Sequence, residues 1–294
     1  MAGKLSLWAA VLLLTSLVTA APPPPRDPRQ SKPIIRKEWR TLKPGEKKDY
    51  LKAQTMDMHF TGHFLPWHRY YTAVYERMLR DECGYKGAQP YWDWTLDTPA
   101  SNFANSPVFD ALTGFGGNGP LEPVNPNSPF PPVPGRTGGG CVVDGPFTGI
   151  PDLVHLGPFA SVTYNPQCLK RDLSPYFAAR YLALNQTQLT LSQPDFGWFA
   201  RIVEGGPDYE LSGVHGGGHY GVGGSLGQMG DLLMDISGPE MMMDYGGPNV
   251  TLAYPLSVGV SGADVTVGDV MAVRGCGVGG SVLCYDYDQL YTLA

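Results

Sequence analysis

Five of the six histidines in this 294-residue chain fall into two short runs that lie far apart in the sequence. The first run contains His59, His63 and His68, and the second contains His215 and His219. Histidine is the commonest metal ligand in proteins and a frequent acid or base near neutral pH. The clustering predicts a functional site, whereas the alternative is a set of hydrogen-bonded core histidines.

The spacing within each run limits what the run can do. His215 and His219 are four residues apart, so on a helix they share one face and can hold one ion. His59 and His68 are nine apart and converge only if the chain turns between them and a helix begins near Pro66, where proline is tolerated in the first turn. Apolar residues then recur at spacings of three and four, which predicts an amphipathic helix of about four turns. These residues are Trp67, Tyr71, Val74, Tyr75, Met78 and Leu79.

Further helices are predicted over residues 172–184, where Ser174 suits the N-cap and Pro175 the first turn, and over residues 195–204. The segment from residue 209 leads into a helix with His215 and His219. Three consecutive glycines between these histidines weaken that helix by about 1 kcal/mol each relative to alanine. Metal binding or close packing would have to offset that cost.

The remaining segments predict loops and short strands. Residues 33–54 carry two weak helical patterns, and the aromatic residues 84–99 are expected to pack in the core. Residues 101–149 are rich in glycine, proline and asparagine and predict a long irregular loop. Residues 249–293 alternate apolar and polar side chains in places, including 265–273 and 281–287, and predict two or three short strands. His155 is interpreted as a loop or surface histidine, or as a substitute metal ligand.

The first run, HFTGHFLPWHRYYTAVYE, resembles the first copper signature of tyrosinases and catechol oxidases, the type-3 dicopper proteins. QPYWDWTLD at residues 89–97 is similar to the segment that follows in that family, and GVHGGGHYGVGG resembles the start of the second copper site. The similarity extends from about residue 33 to the end and is greatest to short, secreted fungal members. The matched positions of the first signature are His59, Phe64, Trp67, His68, Arg69 and Glu76.

The resemblance implies a mainly α fold with an antiparallel four-helix-bundle core, long irregular loops and a few short peripheral strands. It implies two copper ions as cofactor, each bound by three histidines, with small phenols and O2 as substrates. His59 and His68 correspond to the second and third ligands of the first copper. His215 and His219 correspond to the first and second ligands of the other copper.

The same resemblance gives supporting roles to other residues. His63 falls at a variable position of the signature and is not expected to be a ligand. Arg69 and Asp93 are candidates to contact the metal ligands and hold them in orientation, as metal sites require. Gly216 stands where asparagine in the family is often linked to monophenol use, so the chain is expected to favour o-diphenols.

Two ligand-bearing segments of the family pattern are missing from this sequence. No histidine precedes His59 and none follows His219, where the family has a helix with the last ligand. The helical bundle is therefore expected to be incomplete, with two histidines left for each copper. The hypotheses are an o-diphenol oxidase, a catalytically impaired or inactive relative that binds little or no copper, and a mononuclear site built on His215 and His219.

The N-terminus predicts export. Residues 1–20 combine Lys4, an apolar run and a small-residue end, which is typical of a secretory signal peptide. A proline-rich extended tail follows over residues 21–32, so residues 33–294 are expected to form a single domain. No other segment is long and apolar enough to span a bilayer. The net charge of −6, without a basic patch, argues against nucleic-acid binding.

Secretion has consequences for two residue types. Asn185 and Asn249 begin glycosylation sequons. In an oxidising compartment the five cysteines predict two disulfides and one free thiol, with the pairing left open. A bond between Cys276 and Cys284 would close a small loop, whereas a bond from Cys83 would tie the long loop to the first helix. The cysteines are Cys83, Cys141, Cys168, Cys276 and Cys284.

Overall fold

The computed structural model describes residues 34–36, 41, 62–126, 131–151, 153–156, 164–206, 208–227, 250–258, 261–274 and 282–288. The predicted signal peptide and proline-rich tail lie outside these residues, as do His59, Asn249 and Cys276. Within the described part of the chain, no helix is both long and apolar enough to cross a bilayer.

The chain is mainly helical with a few short strands, as the sequence predicts. The described helices are α1 (Phe64–Asp81), α2 (Ala100–Phe103), α3 (Pro175–Tyr181), α4 (Leu184–Leu191), α5 (Phe196–Glu204), α6 (Val214–Val222), α7 (Gly224–Gly227) and α8 (Val267–Val270). Shorter 3-10 helices cover Trp94–Leu96, Pro107–Phe109 and Tyr209–Leu211. The described strands are β1 (Ile34–Arg36), β2 (Val154–Leu156), β3 (Tyr164–Gln167), β4 (Pro255–Leu256), β5 (Val265–Thr266) and β6 (Tyr285–Tyr287). Strand β1 pairs with β6 in parallel, and β2 with β3 and β4 with β5 pair antiparallel.

Helix α1 packs its apolar face against α8 and the C-terminal strands. Trp67, Tyr70 and Val74 are buried there with side chains of β4, β5 and β6. Full burial of each such side chain contributes about 1.5–3 kcal/mol. Trp67 Nε1 also donates to the carbonyl of Ser257 at 2.7 Å, so the indole is satisfied although it is buried.

A second core forms where α3 meets α2 and α6. Helix α3 begins as predicted, because Ser174 Oγ accepts from the amide of Phe177 and proline occupies the first turn. Helix α6 crosses α3 near the C-terminal end of α3. A Cβ at Gly217 would lie 2.8 Å from both Leu182 Cδ2 and Tyr181 Cβ. Close packing therefore accounts for this glycine in the middle of a helix.

The long loop over residues 101–149 is held by the segment at residues 168–174. The Cys141–Cys168 disulfide joins the two covalently. The buried guanidinium of Arg171 donates to the carbonyl oxygens of residues 115–117. Burial lowers the pKa of Arg171 to about 10, so the side chain stays charged at neutral pH. Arg136 Nε adds an ion pair with Asp172 Oδ2 at 2.6 Å.

Two sequence predictions are wrong in detail, and one helix has no counterpart among the predictions. Residues 34–36, inside a weak helical pattern, form strand β1 because they pair with β6. Residues 267–270, inside the predicted strand over 265–273, form helix α8 because Thr266 and Asp269 make a reciprocal capping box. Helix α4 was not predicted at all, although its sequence contains no strong helix breaker.

The cysteine pairing is now partly assigned. Cys83 is an exposed free thiol, which excludes a bond from Cys83 to the long loop, one of the pairings that the sequence left open. That loop is instead attached through Cys141 and Cys168, whose Cα atoms lie 5.7 Å apart, within the reach of a disulfide. Cys284 is also disulfide-bonded, and its partner lies outside the described residues.

Replacement of Gly217 tests the close crossing of α3 and α6. We expect Gly217→Ala to lower the free energy of unfolding by about 1–2 kcal/mol, because overpacking outweighs the better helix propensity of alanine. The matched control is Gly197→Ala on the exposed face of α5, where a Cβ would meet only Asp195 Oδ1. The control should be neutral or stabilising by up to about 1 kcal/mol. Urea unfolding measures both changes. A free energy of unfolding of Gly217→Ala equal to that of the parent protein would contradict the close crossing.

Candidate metal centre

Helices α1 and α6 bring histidines from the two distant runs together. The ring centroids of His215 and His219 are 4.6 Å apart, and those of His68 and His215 are 6.0 Å apart. The buried ring of Phe64 fills the space between the helices. Its centroid lies 4.6 Å from that of His68 and 5.0 Å from that of His215. Three of the four histidines that the sequence assigned to copper therefore form one cluster.

The backbone of α1 fixes the orientation of His68. His68 Nδ1 lies 2.8 Å from the carbonyl oxygen of Phe64, one turn earlier in the same helix. Because a carbonyl only accepts, Nδ1 must carry the proton and Nε2 must carry the lone pair. A metal-binding histidine commonly has this arrangement, in which a carbonyl holds the ring nitrogen that does not bind the ion.

The electrostatic surroundings keep the His68 ring uncharged. Burial is the largest cause that lowers the pKa of His68, from 6.5 to about 4. The carbonyl of Phe64 opposes this shift, and His219 and His63 lower the pKa further. At pH 7 the ring is neutral, which is the form that binds a metal ion.

Helix α6 presents its two histidines on one face, as the four-residue spacing predicts. Gly218 lies on this face between them, since residues at i, i+3 and i+4 are neighbours on a helix. A Cβ at Gly218 would be 3.3 Å from Cζ3 of Trp94. The indole of Trp94 thus lies against α6 beside the histidines, although the sequence suggested only core packing. The only sign of this contact in the sequence is Gly218, the residue just before His219.

Trp94 is held in place by its own turn. It begins a 3-10 helix in which Asp93 Oδ1 accepts from the amide of Thr95 at 3.1 Å and from its hydroxyl at 2.6 Å. The fully buried Phe103 and the ring of Trp92 stack nearby, with centroids 5.6 Å apart. Asp93 therefore contributes to the position of Trp94 through the backbone.

The other residues that the sequence analysis considered for the metal site are not part of the histidine cluster. Arg69 Nη1 donates to the carbonyls of Val270 and Met271, both at 3.0 Å, and so joins α1 to α8. His63 is buried at the start of α1 and stacks on Tyr254, with centroids 4.6 Å apart and planes 19° apart. His155 lies in strand β2.

The residues present fit copper, with fewer ligands than two complete sites require. Imidazole nitrogens suit this metal, and α6 offers two of them while α1 offers His68 Nε2. Among the described residues, no group of three or more His, Cys, Asp or Glu side chains is arranged to hold one ion. Of the histidines that the resemblance assigns to copper, the described part of the chain contains two on α6 and one on α1.

Known proteins resemble this chain in sequence and in structure. Residues 35–238 match the family model described as the common central domain of tyrosinase. Tyrosinase P from Aspergillus terreus is 30% identical over 266 aligned residues, which cover 72% of this chain and 73% of that protein. The solved structure of a polyphenol oxidase mutant from Thermothelomyces thermophila has a TM-score of 0.71 and 27% identity. The superposition covers 87% of this chain and 89% of that one.

A longer alignment shows that relatives carry additional segments. N-acetyl-6-hydroxytryptophan oxidase ivoB from Emericella nidulans is 28% identical over 347 aligned positions, covering 86% of this chain and 92% of that protein. The alignment is longer than the 294 residues of this chain. That relative therefore contains segments that this chain lacks.

Tryptophan fluorescence tests the placement of Trp94. We expect copper(II) to quench the fluorescence of the protein, because a paramagnetic ion at His215 and His219 would lie close to this indole. Trp94→Phe should reduce the quenched fraction, whereas Trp198→Phe, at an exposed site on α5, should leave or increase it. The double variant His215→Ala/His219→Ala should abolish the Trp94-dependent part. Equal quenching in Trp94→Phe and the parent protein would contradict the assignment.

Proposed function

The chain belongs to the tyrosinase family, and from this premise we propose that it is a copper protein that oxidises o-diphenols to o-quinones with O2. The observation that carries the proposal is the convergence of His68, His215 and His219 from helices α1 and α6. The resemblance assigns these residues to both copper ions, and their proximity supports a two-ion site. His59, outside the described residues, is proposed as the second ligand on the α1 side.

Copper, when bound, would supply the electron transfer by which two o-diphenols become two o-quinones while one O2 is reduced to two waters. The four electrons and four protons lost by the diphenols balance those taken up by O2. The protein holds the imidazoles in fixed orientations: the carbonyl of Phe64 holds His68, and α6 holds the pair His215 and His219. Arg69 and Asp93 support this arrangement indirectly, through α8 and through Trp94.

The surroundings of the histidine cluster support a phenolic substrate. The indole of Trp94 gives a flat, apolar surface beside the histidines that suits a phenolic ring, and the buried ring of Phe64 keeps the space between the helices apolar. Gly216 directly follows the first histidine of α6 and offers no side chain where the family often has an asparagine linked to monophenol use. We therefore propose o-diphenols as the main substrates, with monophenols used less or not at all.

A second function is favoured by the missing ligands. The sequence has no histidine before His59 or after His219, and a relative aligned over most of this chain is longer by additional segments. With only two histidines per ion, copper affinity falls and water fills the open positions. The alternative proposal is a non-catalytic relative that binds little or no copper.

Copper content and O2 uptake distinguish the two proposals. The measurements use chains with Cys83→Ser, because the exposed thiol of Cys83 would bind copper itself. The oxidase proposal expects about two coppers per chain after dialysis, measured by elemental mass spectrometry, together with O2 uptake on addition of 4-tert-butylcatechol. His219→Ala should reduce that uptake by more than about 100-fold, since even the loss of an outer partner of a ligand costs 10–100-fold. One copper or none, without uptake, would favour the non-catalytic relative.

We also propose that the chain is exported and glycosylated, with residues 33–294 as the mature domain after the tail. Residues 1–20 supply the signal sequence, and the disulfides suit an oxidising compartment. Asn185 is exposed at the start of α4, so its amide is accessible to an attached glycan. Asn249, outside the described residues, is the second proposed site.

Expression in a fungal host tests export. We expect secreted protein whose N-terminal residue lies near Ala21 and whose mass falls on treatment with an N-glycosidase. Asn185→Gln should remove one glycan, while Asn102→Gln, at an exposed asparagine outside a sequon, should leave the mass pattern unchanged. Retention of the intact N-terminus in a cellular fraction would exclude the export proposal.

A further inference from the structure

The outer surface of helix α4 is apolar, whereas its inner surface is polar. All three leucines of the helix are exposed, Leu184 at 46%, Leu189 at 48% and Leu191 at 37%. The buried residue of the helix is instead Thr190, whose hydroxyl donates to the carbonyl of Gln186 at 2.8 Å. A surface helix ordinarily turns its apolar stripe toward the core. Helix α4 therefore presents side chains that would be stabilised by a cover on the solvent side.

Asn185 lies on the same outer surface and begins a glycosylation sequon that ends at Thr187. Asn185 and Leu189 are four residues apart in the helix, so their Cβ atoms are neighbours at about 5–6 Å. A leucine side chain in a helix leans toward the N-terminus, which brings Leu189 over the turn that carries Asn185. A group attached to Asn185 is therefore next to Leu189 once the helix has formed.

The backbone of Leu189 is held in the last turn of α4. Its carbonyl oxygen accepts from Nε2 of Gln193 at 2.8 Å and from Oγ of Ser192 at 2.9 Å. Both contacts pair a carbonyl that the end of a helix otherwise leaves to water. The exposed side chain of Leu189 therefore extends from a fixed point beside Asn185.

The first sugar of an N-linked glycan suits an apolar neighbour. In the attachment, a lipid diphosphate carrier gives up its oligosaccharide. One N–H of the Asn185 amide is replaced by a bond to C1 of N-acetylglucosamine, and the carrier leaves with the proton. One face of that sugar ring consists of C–H groups, and its acetyl group ends in a methyl. The sugar can therefore cover a leucine with this face while its hydroxyls stay in water.

We propose that the N-acetylglucosamine linked to Asn185 packs across Leu189 and covers this part of α4. The proposal rests on the export and glycosylation proposed above, and it adds a contact that attachment alone does not require. Leu191 lies six residues after Asn185, on another side of the helix, so the first sugar does not reach it. Leu189 and Leu191 are thus a matched pair on one helix, with comparable exposure.

A double-mutant cycle on the secreted glycoprotein tests the contact. All chains carry Asn249→Gln, so that Asn185 begins the one remaining sequon. The parent, Leu189→Ala and Leu191→Ala are each prepared with the intact glycan, with the glycan trimmed by an endoglycosidase to one N-acetylglucosamine, and without a glycan through Asn185→Gln. Thermal unfolding of all forms is measured at one scan rate.

We expect the parent without its glycan to unfold roughly 1–3 °C below the intact glycoprotein, the shift of one partly covered leucine in a domain of this length. The trimmed form should keep the higher temperature, because the contact belongs to the first sugar. Leu189→Ala should remove most of the difference between the forms with and without the glycan. Leu191→Ala should leave that difference unchanged.

The outcomes separate the contact from the attachment. A glycan that raises the unfolding temperature equally in Leu189→Ala and Leu191→Ala, or not at all in the parent, would overturn this proposal and leave glycosylation standing. A secreted chain without a glycan on Asn185, seen by mass, would reject the contact and the glycosylation together. Copper content and O2 uptake are measured separately, so the oxidase proposal can fail while this one holds.

Two further measurements complete the test. An N-glycosidase that acts on the folded parent supplies the bare form even where Asn185→Gln is not secreted. Sedimentation then gives the oligomeric state. An intact glycoprotein that sediments as a dimer and is dissociated by Leu189→Ala would assign this surface to a second copy of the chain and overturn the proposal.

Discussion

The hydrogen bonds along both edges of the extended segment at residues 170–174 hold the rest of the molecule in place. On one edge, the amides of Asp172 and Ser174 donate to the carbonyls of Val222 and Gly221, at the end of the histidine helix α6. On the other edge, Arg171 exchanges backbone hydrogen bonds with the long loop at residues 139 and 140. Because each buried backbone group left unpaired would cost about 1–3 kcal/mol, neither the loop nor α6 can shift alone. The position of His215 and His219 is thus set by a segment that carries no ligand.

Glycines allow α6 to occupy that position. Gly217 lets the helix approach α3, and Gly218 leaves room for Trp94. At the end of the helix, Gly223 and Gly224 have φ of 59° and 60° and lie against the carbonyls of residues 172 and 170. Only glycine adopts this conformation freely, and a Cβ at either position would collide with backbone. The glycine-rich sequence around the histidines is therefore a consequence of close packing on three sides.

Residue spacing and capping residues in the sequence predicted the helices whose faces and ends depend on neighbouring residues in the chain. The spacing of His215 and His219 indicated a shared helical face, and Ser174 with its following proline indicated the start of α3. Long-range contacts decided the rest. Residues 34–36 form a strand only because residues 285–287 pair with them, and sequence spacing could not show which cysteine joins Cys141. The family resemblance indicated which histidines converge, whereas the contact of Trp94 with Gly218 emerged only from the packed structure.

The two helices of the histidine cluster come from distant parts of the chain, since His68 and His215 are 147 residues apart in the sequence. Contacts of such high sequence separation form late in folding, because a long loop must be closed before they contribute any stabilisation. The disulfide and the hydrogen bonds around residues 168–174 constrain the middle of this loop in the folded chain. The histidines therefore share a site only when helices α1 and α6 are both in their folded positions, so the site depends on the tertiary structure.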